Sequence, residues 1–337
     1  MKNLTSNYLN KKLKNPIIVG ASYLTSDTDN LKKIEDAGAA AVVYKSLFEE
    51  QIQLERAQLD DDVNEYSERN AEMISLFPAI EHAGPNEHLH NLRKAKESIS
   101  IPMFASINAI YKESWIEYAK LIEQTGVDGL ELNFYAVPKD MDASGVEIEK
   151  KQIEVLSEIK KAVRIPVSIK ISSAYSNTLN FIKKLDNAGA NGVVLFNRFY
   201  QPDIDIYNVA HLATHSLSNE SENRLSMRYA GLLFSNINAS ICNSSGIHQG
   251  ADIIKMLLAG ADCVQVVSTI YQNKIGHISQ MLKDVEGWME LKNFNSVDDF
   301  RGLLSNKKTN DPFVYQRAQY IDLLLKSGEI FKKYPVR

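Results

Sequence analysis

The stretch ASICNSSGIHQGADIIKMLLAGADCVQVVST, residues 239–269, holds the fold in miniature. It predicts a short apolar strand over Ala239–Cys242, then a polar turn through Asn243, Ser244, Ser245 and Gly246. Apolar residues at Ile253, Ile254, Leu257 and Leu258 follow at helical spacing. That helix ends at Ala259-Gly260, and a second strand, Asp262–Val267, delivers Ser268 and Thr269. Small polar residues thus stand at the ends of both strands of a β-turn-α-β unit. Backbone N–H groups in such a place can converge on an anion, helped by a helix N-terminus, which makes the unit a phosphate cradle. The same residues also suit a plain turn and a helix cap.

The unit repeats along the chain. Asp36-Ala37-Gly38-Ala39, Gln124-Thr125-Gly126-Val127, Asn187-Ala188-Gly189-Ala190 and Leu258-Ala259-Gly260-Ala261 each place glycine at a helix end, ahead of an apolar strand. Such continuously apolar strands are buried on both faces, as in a parallel sheet. Asn15-Pro16, Ile101-Pro102 and Ile165-Pro166 open three more strands, at a position where proline is tolerated. Strands near residues 17, 41, 103, 129, 167, 192, 239 and 263, with helical patterns between them, predict an α/β fold, a TIM (β/α)8 barrel. A doubly wound open sheet is the alternative, but no GxGxxG follows the first strand.

The 337 residues carry 44% hydrophobic and 24% charged side chains, an ordinary globular composition. A formal charge of -4 leaves no basic footprint for nucleic acid. Met1–Asn10 lacks a signal-peptide core, and no apolar run reaches membrane-spanning length, so no membrane partner and a cytoplasmic location are expected. Cys242 and Cys263 lie in apolar strands and far from any CxxC, so buried thiols are expected and no metal site.

Three connections exceed ordinary βα loops: Ser46–Glu87, which looks helical and acidic, Phe134–Glu147, and Phe199–Asn223, which has strand-like pieces. All three leave C-terminal strand ends, the face that carries barrel active sites. Residues 1–292 are expected to form the barrel, and 293–337 a helical tail with a helix near Arg317–Leu325, packed on the barrel or at a subunit contact.

The strand ends collect chemistry. Ala21 and Ser22 follow the first strand, Lys45 ends the second, Asn108 follows the third and Asn133 ends the fourth. Lys170 lies inside the end of the fifth, Asn197 ends the sixth, and Ser244, Ser245, Gly246, Ser268 and Thr269 occupy the last two. Ionised lysines are seldom buried unpaired. Lys170 pointing inward therefore needs an anionic partner or an electron-rich ligand; at the rim it could instead snorkel to water.

Asn15-Pro16, Ala21-Ser22, Lys45-Ser46, Glu131-Leu132-Asn133, Lys170, Asn197 and Ser244-Ser245-Gly246 together resemble the dihydroorotate dehydrogenase family. The resemblance spans about Leu4 to Tyr320 and is nearest to a bacterial dihydroorotate dehydrogenase-like branch, through Ser46-Leu47-Phe48-Glu49-Glu50-Gln51 and the string from Leu195 to Asp203. It implies a class 1-like barrel that holds FMN and takes a hydride from a dihydropyrimidine-like small molecule, as a homodimer. It implies that Ala21, Ser22 and Asn108 contact the flavin and that Lys45 reaches flavin and substrate. Lys170 faces the pyrimidine edge of the flavin, Asn133 and Asn197 bind the substrate, and Ser244, Ser245, Gly246, Ser268 and Thr269 hold the phosphate.

The chain departs from the family at the strand-four loop, which reads Asn133-Phe134-Tyr135-Ala136-Val137-Pro138. Ala136 stands where the family has a cysteine or serine base, and alanine cannot take a proton. Tyr135 is a substitute acid–base candidate, or an aromatic packed under a lid. Ser245 and Val267 stand where the family has glycine. Two alternatives therefore accompany the oxidoreductase: a flavin-binding homologue without dihydroorotate activity, and a Schiff-base lyase or aldolase on a phosphorylated substrate with Lys170 as nucleophile.

Overall fold

The computed structural model describes residues 2–50, 85–135, 140–199, 201–212, 216–311 and 313–330. It opens with an antiparallel hairpin, β1 (Ser6–Tyr8) and β2 (Lys11–Leu13). Alternation begins with β3 (Ile17–Val19), α1 (Thr28–Asp36), β4 (Ala41–Val43) and a two-residue strand β5 (Leu47–Phe48). Next come α2 (Asn86–Ser98), β6 (Met103–Asn108), α3 (Lys112–Glu123), β7 (Gly129–Phe134) and α4 (Gly145–Ala162). Then follow β8 (Val167–Ile171), α5 (Thr178–Asn187), β9 (Gly192–Leu195), and a second hairpin, β10 (Asp203–Asp205) with β11 (Ala210–Leu212). The alternation ends with α6 (Asn223–Leu233), β12 (Ser240–Ser244), α7 (Gly250–Ala259) and β13 (Cys263–Val266). Four helices close the series: α8 (Ser268–Asn273), α9 (His277–Leu291), α10 (Arg317–Leu325) and the short α11 (Ser327–Ile330).

Parallel pairing runs β3–β4–β6–β7–β8–β9–β12–β13 and returns to β3, closing an eight-stranded barrel. Every strand expected from the sequence is present. The four repeated glycines, Gly38, Gly126, Gly189 and Gly260, all take positive φ, from 83° to 129°, which ends each helix in the left-handed turn glycine favours. β12 runs to Ser244 rather than stopping at Cys242, because Asn243 and Ser244 continue the ladder with Val264 and Gln265. The strand-like pieces between Phe199 and Asn223 are β10 and β11. Most of the acidic insertion, residues 51–84, lies outside the described residues, and α2 begins directly after it.

Two apolar clusters hold the barrel. The larger packs outward strand residues such as Val42, Leu132, Ile169 and Val193 against the helices. The smaller fills the interior: Tyr8 and Leu9 from the first hairpin meet Ile18, Val43, Phe104, Val194, Cys242 and Cys263. A Cβ on Gly192, the first residue of β9, would lie 2.9 Å from Leu9 Cδ2 and 3.1 Å from Tyr8 Cε2. The hairpin therefore plugs the N-terminal end of the barrel and leaves the C-terminal mouth for a site. Cys242 and Cys263 are buried register partners, and burial pushes the Cys263 thiol up. Gly302 N donates to Leu257 O and Leu304 N to Leu258 O, strapping the segment after α9 across α7. No helix among the described residues is long and apolar enough to cross a membrane.

Candidate functional site

Asn133 and Lys170 are register partners at the C-terminal ends of β7 and β8, so their side chains leave the sheet on the same face. The outward residues of these strands, Leu132, Ile169 and Ile171, belong to the outer core, which sends Glu131, Asn133 and Lys170 inward. Asn197, just past β9, donates through Nδ2 to Asn133 Oδ1 at 2.6 Å. That bond uses one N–H of Asn197 and one lone pair of Asn133, and leaves the Asn133 Nδ2 donors and the Asn197 Oδ1 acceptor side by side. A cyclic amide or imide edge presents the complementary pair. A cavity of about 750 Å3 opens beside Asn197, lined also by Ser173, Phe196, Ser244 and Ser245.

Lys170 is a barrel lysine and does not snorkel; its side chain is only 12% exposed. Its Nζ donates to Gln265 Oε1 at 3.2 Å and lies 3.8 Å from Glu131 Oε1. Gln265 Nε2 in turn donates to Glu131 Oε2 at 2.5 Å. The anionic partner that a buried lysine requires is therefore Glu131. Neither Glu131 nor Gln265 was singled out as a site residue in the sequence. The signal for both was a polar side chain at an inward position of a buried strand, the signal that marked Lys170.

At the cradle, Ser245 and Gly246 both take φ of +70°. A Cβ on Gly246 would sit 2.5 Å from Asn223 N, so only glycine fits there. Gly246 N donates to Ser218 Oγ at 3.2 Å, and Ser218 N donates to Ser268 Oγ at 3.0 Å. Ser218, Gly246 and Ser268 thus form one hydrogen-bonded cluster, in which Ser218 Oγ also pairs with His248 Nε2 at 3.3 Å. Ser218 was missed because it lies in the long connection after β9, where no spacing ties it to the cradle. Two expected members turn elsewhere: Thr269 Oγ1 donates to His248 O at 3.0 Å, and Ser245 Oγ to Phe196 O at 3.2 Å.

The opposite rim carries Ser22, whose Oγ is buried without a hydrogen-bond partner among the described residues, and Ala21, packed on the inner cluster. Asn108 is buried beside Phe48 of β5. Lys45 Nζ lies 4.2 Å from the centroid of the Tyr23 ring. Burial first, and the Lys45 charge second, pull the His88 imidazole down to about 4, so His88 is neutral at pH 7. Tyr135 packs edge-on against Phe199, ring centroids 5.7 Å apart. Ala136 lies outside the described residues.

Comparison with known proteins agrees with this arrangement. The family model described as dihydroorotate dehydrogenase matches residues 3–289. A protein from Thermoplasma volcanium named dihydroorotate dehydrogenase B (NAD(+)), catalytic subunit, is 26% identical over 310 residues, covering 90% of this chain and 99% of its own. Proteins of the same name from Methanocaldococcus jannaschii and Endomicrobium trichonymphae are 24% and 26% identical, covering 86% and 89% of this chain and 94% and 96% of their own. A match across nearly the whole barrel makes this chain a member of the dihydroorotate dehydrogenase family of oxidoreductases.

Proposed function

We propose that the chain binds FMN at the C-terminal mouth and oxidises a CH–CH group in a planar cyclic amide related to dihydroorotate. The observation that carries this reading is the contiguous trio Lys170, Asn133 and Asn197, a buried cation beside a paired donor and acceptor. The residues present fit the cofactor. The Ser268 hydroxyl, which accepts from Ser218 N, keeps its own proton to offer a phosphate, beside the small residues Ser218 and Gly246. The buried, unpartnered Ser22 hydroxyl offers a contact at the other rim. When bound, FMN supplies the two-electron acceptor.

The chain's own groups do the rest. Lys170 presents a fixed positive charge at the mouth, which favours negative charge developing on whatever lies above it. Asn133 Nδ2 and Asn197 Oδ1 hold an amide edge in one orientation. Lys45 adds a second cation at the rim. The proton that leaves substrate carbon has no acceptor at Ala136. General base catalysis contributes ~100- to 10,000-fold, so dihydroorotate turnover is expected to be lower by about that factor. This supports a second reading, a flavin-binding relative that does not turn over dihydroorotate. A Schiff-base lyase is disfavoured, because Lys170 Nζ is engaged by Gln265 Oε1 at 3.2 Å and is not free to attack a carbonyl. Titration with FMN, followed by flavin fluorescence, is expected to saturate at one flavin per chain. The absence of saturation overturns the cofactor assignment.

A further inference from the structure

Three polar side chains from three strands meet below the mouth: the buried Glu131 on β7 and Gln265 on β13, and the largely covered Lys170 on β8. A lysine and a carboxylate free to approach each other close to about 2.7–2.9 Å. Here the ammonium stands 3.8 Å from Glu131 Oε1, and that buried oxygen has no hydrogen-bond partner among the described residues. The Gln265 amide bridges the gap, accepting from Lys170 at 3.2 Å and donating to Glu131 at 2.5 Å. Gly20 keeps room for this amide, since a Cβ there would lie 3.3 Å from Gln265 Oε1.

We propose that Glu131 and Gln265 are positioning residues for Lys170: Gln265 holds the ammonium off the carboxylate, so Glu131 offsets part of its charge and the remainder acts at the mouth. The proposal rests on the flavin reading for its consequence but not for its geometry. Removing the carboxylate leaves the full charge of Lys170 facing the mouth. Removing the amide lets Lys170 close onto Glu131, and the field at the mouth weakens. The two changes therefore act with opposite sign, whereas residues that merely support the fold perturb the site in one direction.

The full chain loaded with FMN is equilibrated with a reference dye, and the ratio of reduced to oxidised flavin is read. Glu131→Gln is expected to raise that ratio about tenfold. Gln265→Met, which keeps the length and loses the amide, is expected to lower it several-fold. Glu131→Asp is expected to remain within about threefold of the parent. Shifts of the same sign in Glu131→Gln and Gln265→Met, or no shift in either, overturn the proposal. If Glu131→Gln does not fold, Gln265→Met decides alone: a lowered ratio supports the bridge, and an unchanged or raised one overturns it. If the parent takes up no FMN, the flavin reading fails, and the bridge is read on the flavin-free chain. Acetic anhydride should then acetylate Lys170, followed by peptide mass spectrometry, faster in Glu131→Gln and slower in Gln265→Met. Equal rates in all three chains overturn it.

Discussion

Lys170 shows how one residue can be read from a strand and completed only by the fold. A lysine inside Ser168-Ile169-Lys170-Ile171 demanded a partner, and the sequence could not say which, because Glu131 and Gln265 are 39 and 95 residues away. Asn133 and Asn197 were legible as strand-end amides, but their mutual bond was not. The proposed base position, Ala136, rests on the sequence alone. Ala136→Cys is expected to raise dihydroorotate turnover by about 100-fold or more, measured under anaerobic conditions. His88 gives a pH signature. Its folded imidazole holds a proton only below about 4, against 6.5 for the ordinary group, so the unfolded chain binds more protons between those values. Stability therefore rises with pH through that window, is complete above it, and is lost as pH falls towards 4. The contribution is on the order of 3 kcal/mol. Urea unfolding at pH 7 and 4.5 should show this difference, and His88→Phe should reduce it.

Among the elements, the strands and their glycine-ended helices were the most legible, because a parallel barrel buries both faces of each strand and repeats its helix stop. The first hairpin was not legible. Ser6–Tyr8 and Lys11–Leu13 carry too few residues for a period, and their partners lie across the barrel floor. Its plug role makes a prediction. Tyr8→Ala empties a fully buried site against Phe104 and is expected to cost about 3 to 5 kcal/mol in urea unfolding. Tyr8→Phe removes a buried hydroxyl whose polar neighbour among the described residues is Ser168, and is expected to change stability by less than about 1 kcal/mol. A large loss for Tyr8→Phe would show that the hydroxyl is satisfied and that the floor of the barrel is polar.

The barrel as a whole separates its two ends. The floor is closed by apolar side chains and carries stability; the mouth carries the amides, the hydroxyl cluster and the positioned cation. The fold followed from periodicity, whereas the site depended on residues brought together from strands at opposite ends of the chain. An anaerobic visible spectrum of the FMN-reconstituted chain, before and after excess dihydroorotate, puts cofactor and base in one experiment. Flavin bands that bleach slowly or not at all are the expected result of the proposed function, in which the mouth binds FMN and position 136 offers no base. No flavin bands, or bleaching as fast as that of a relative with an intact base, would contradict it.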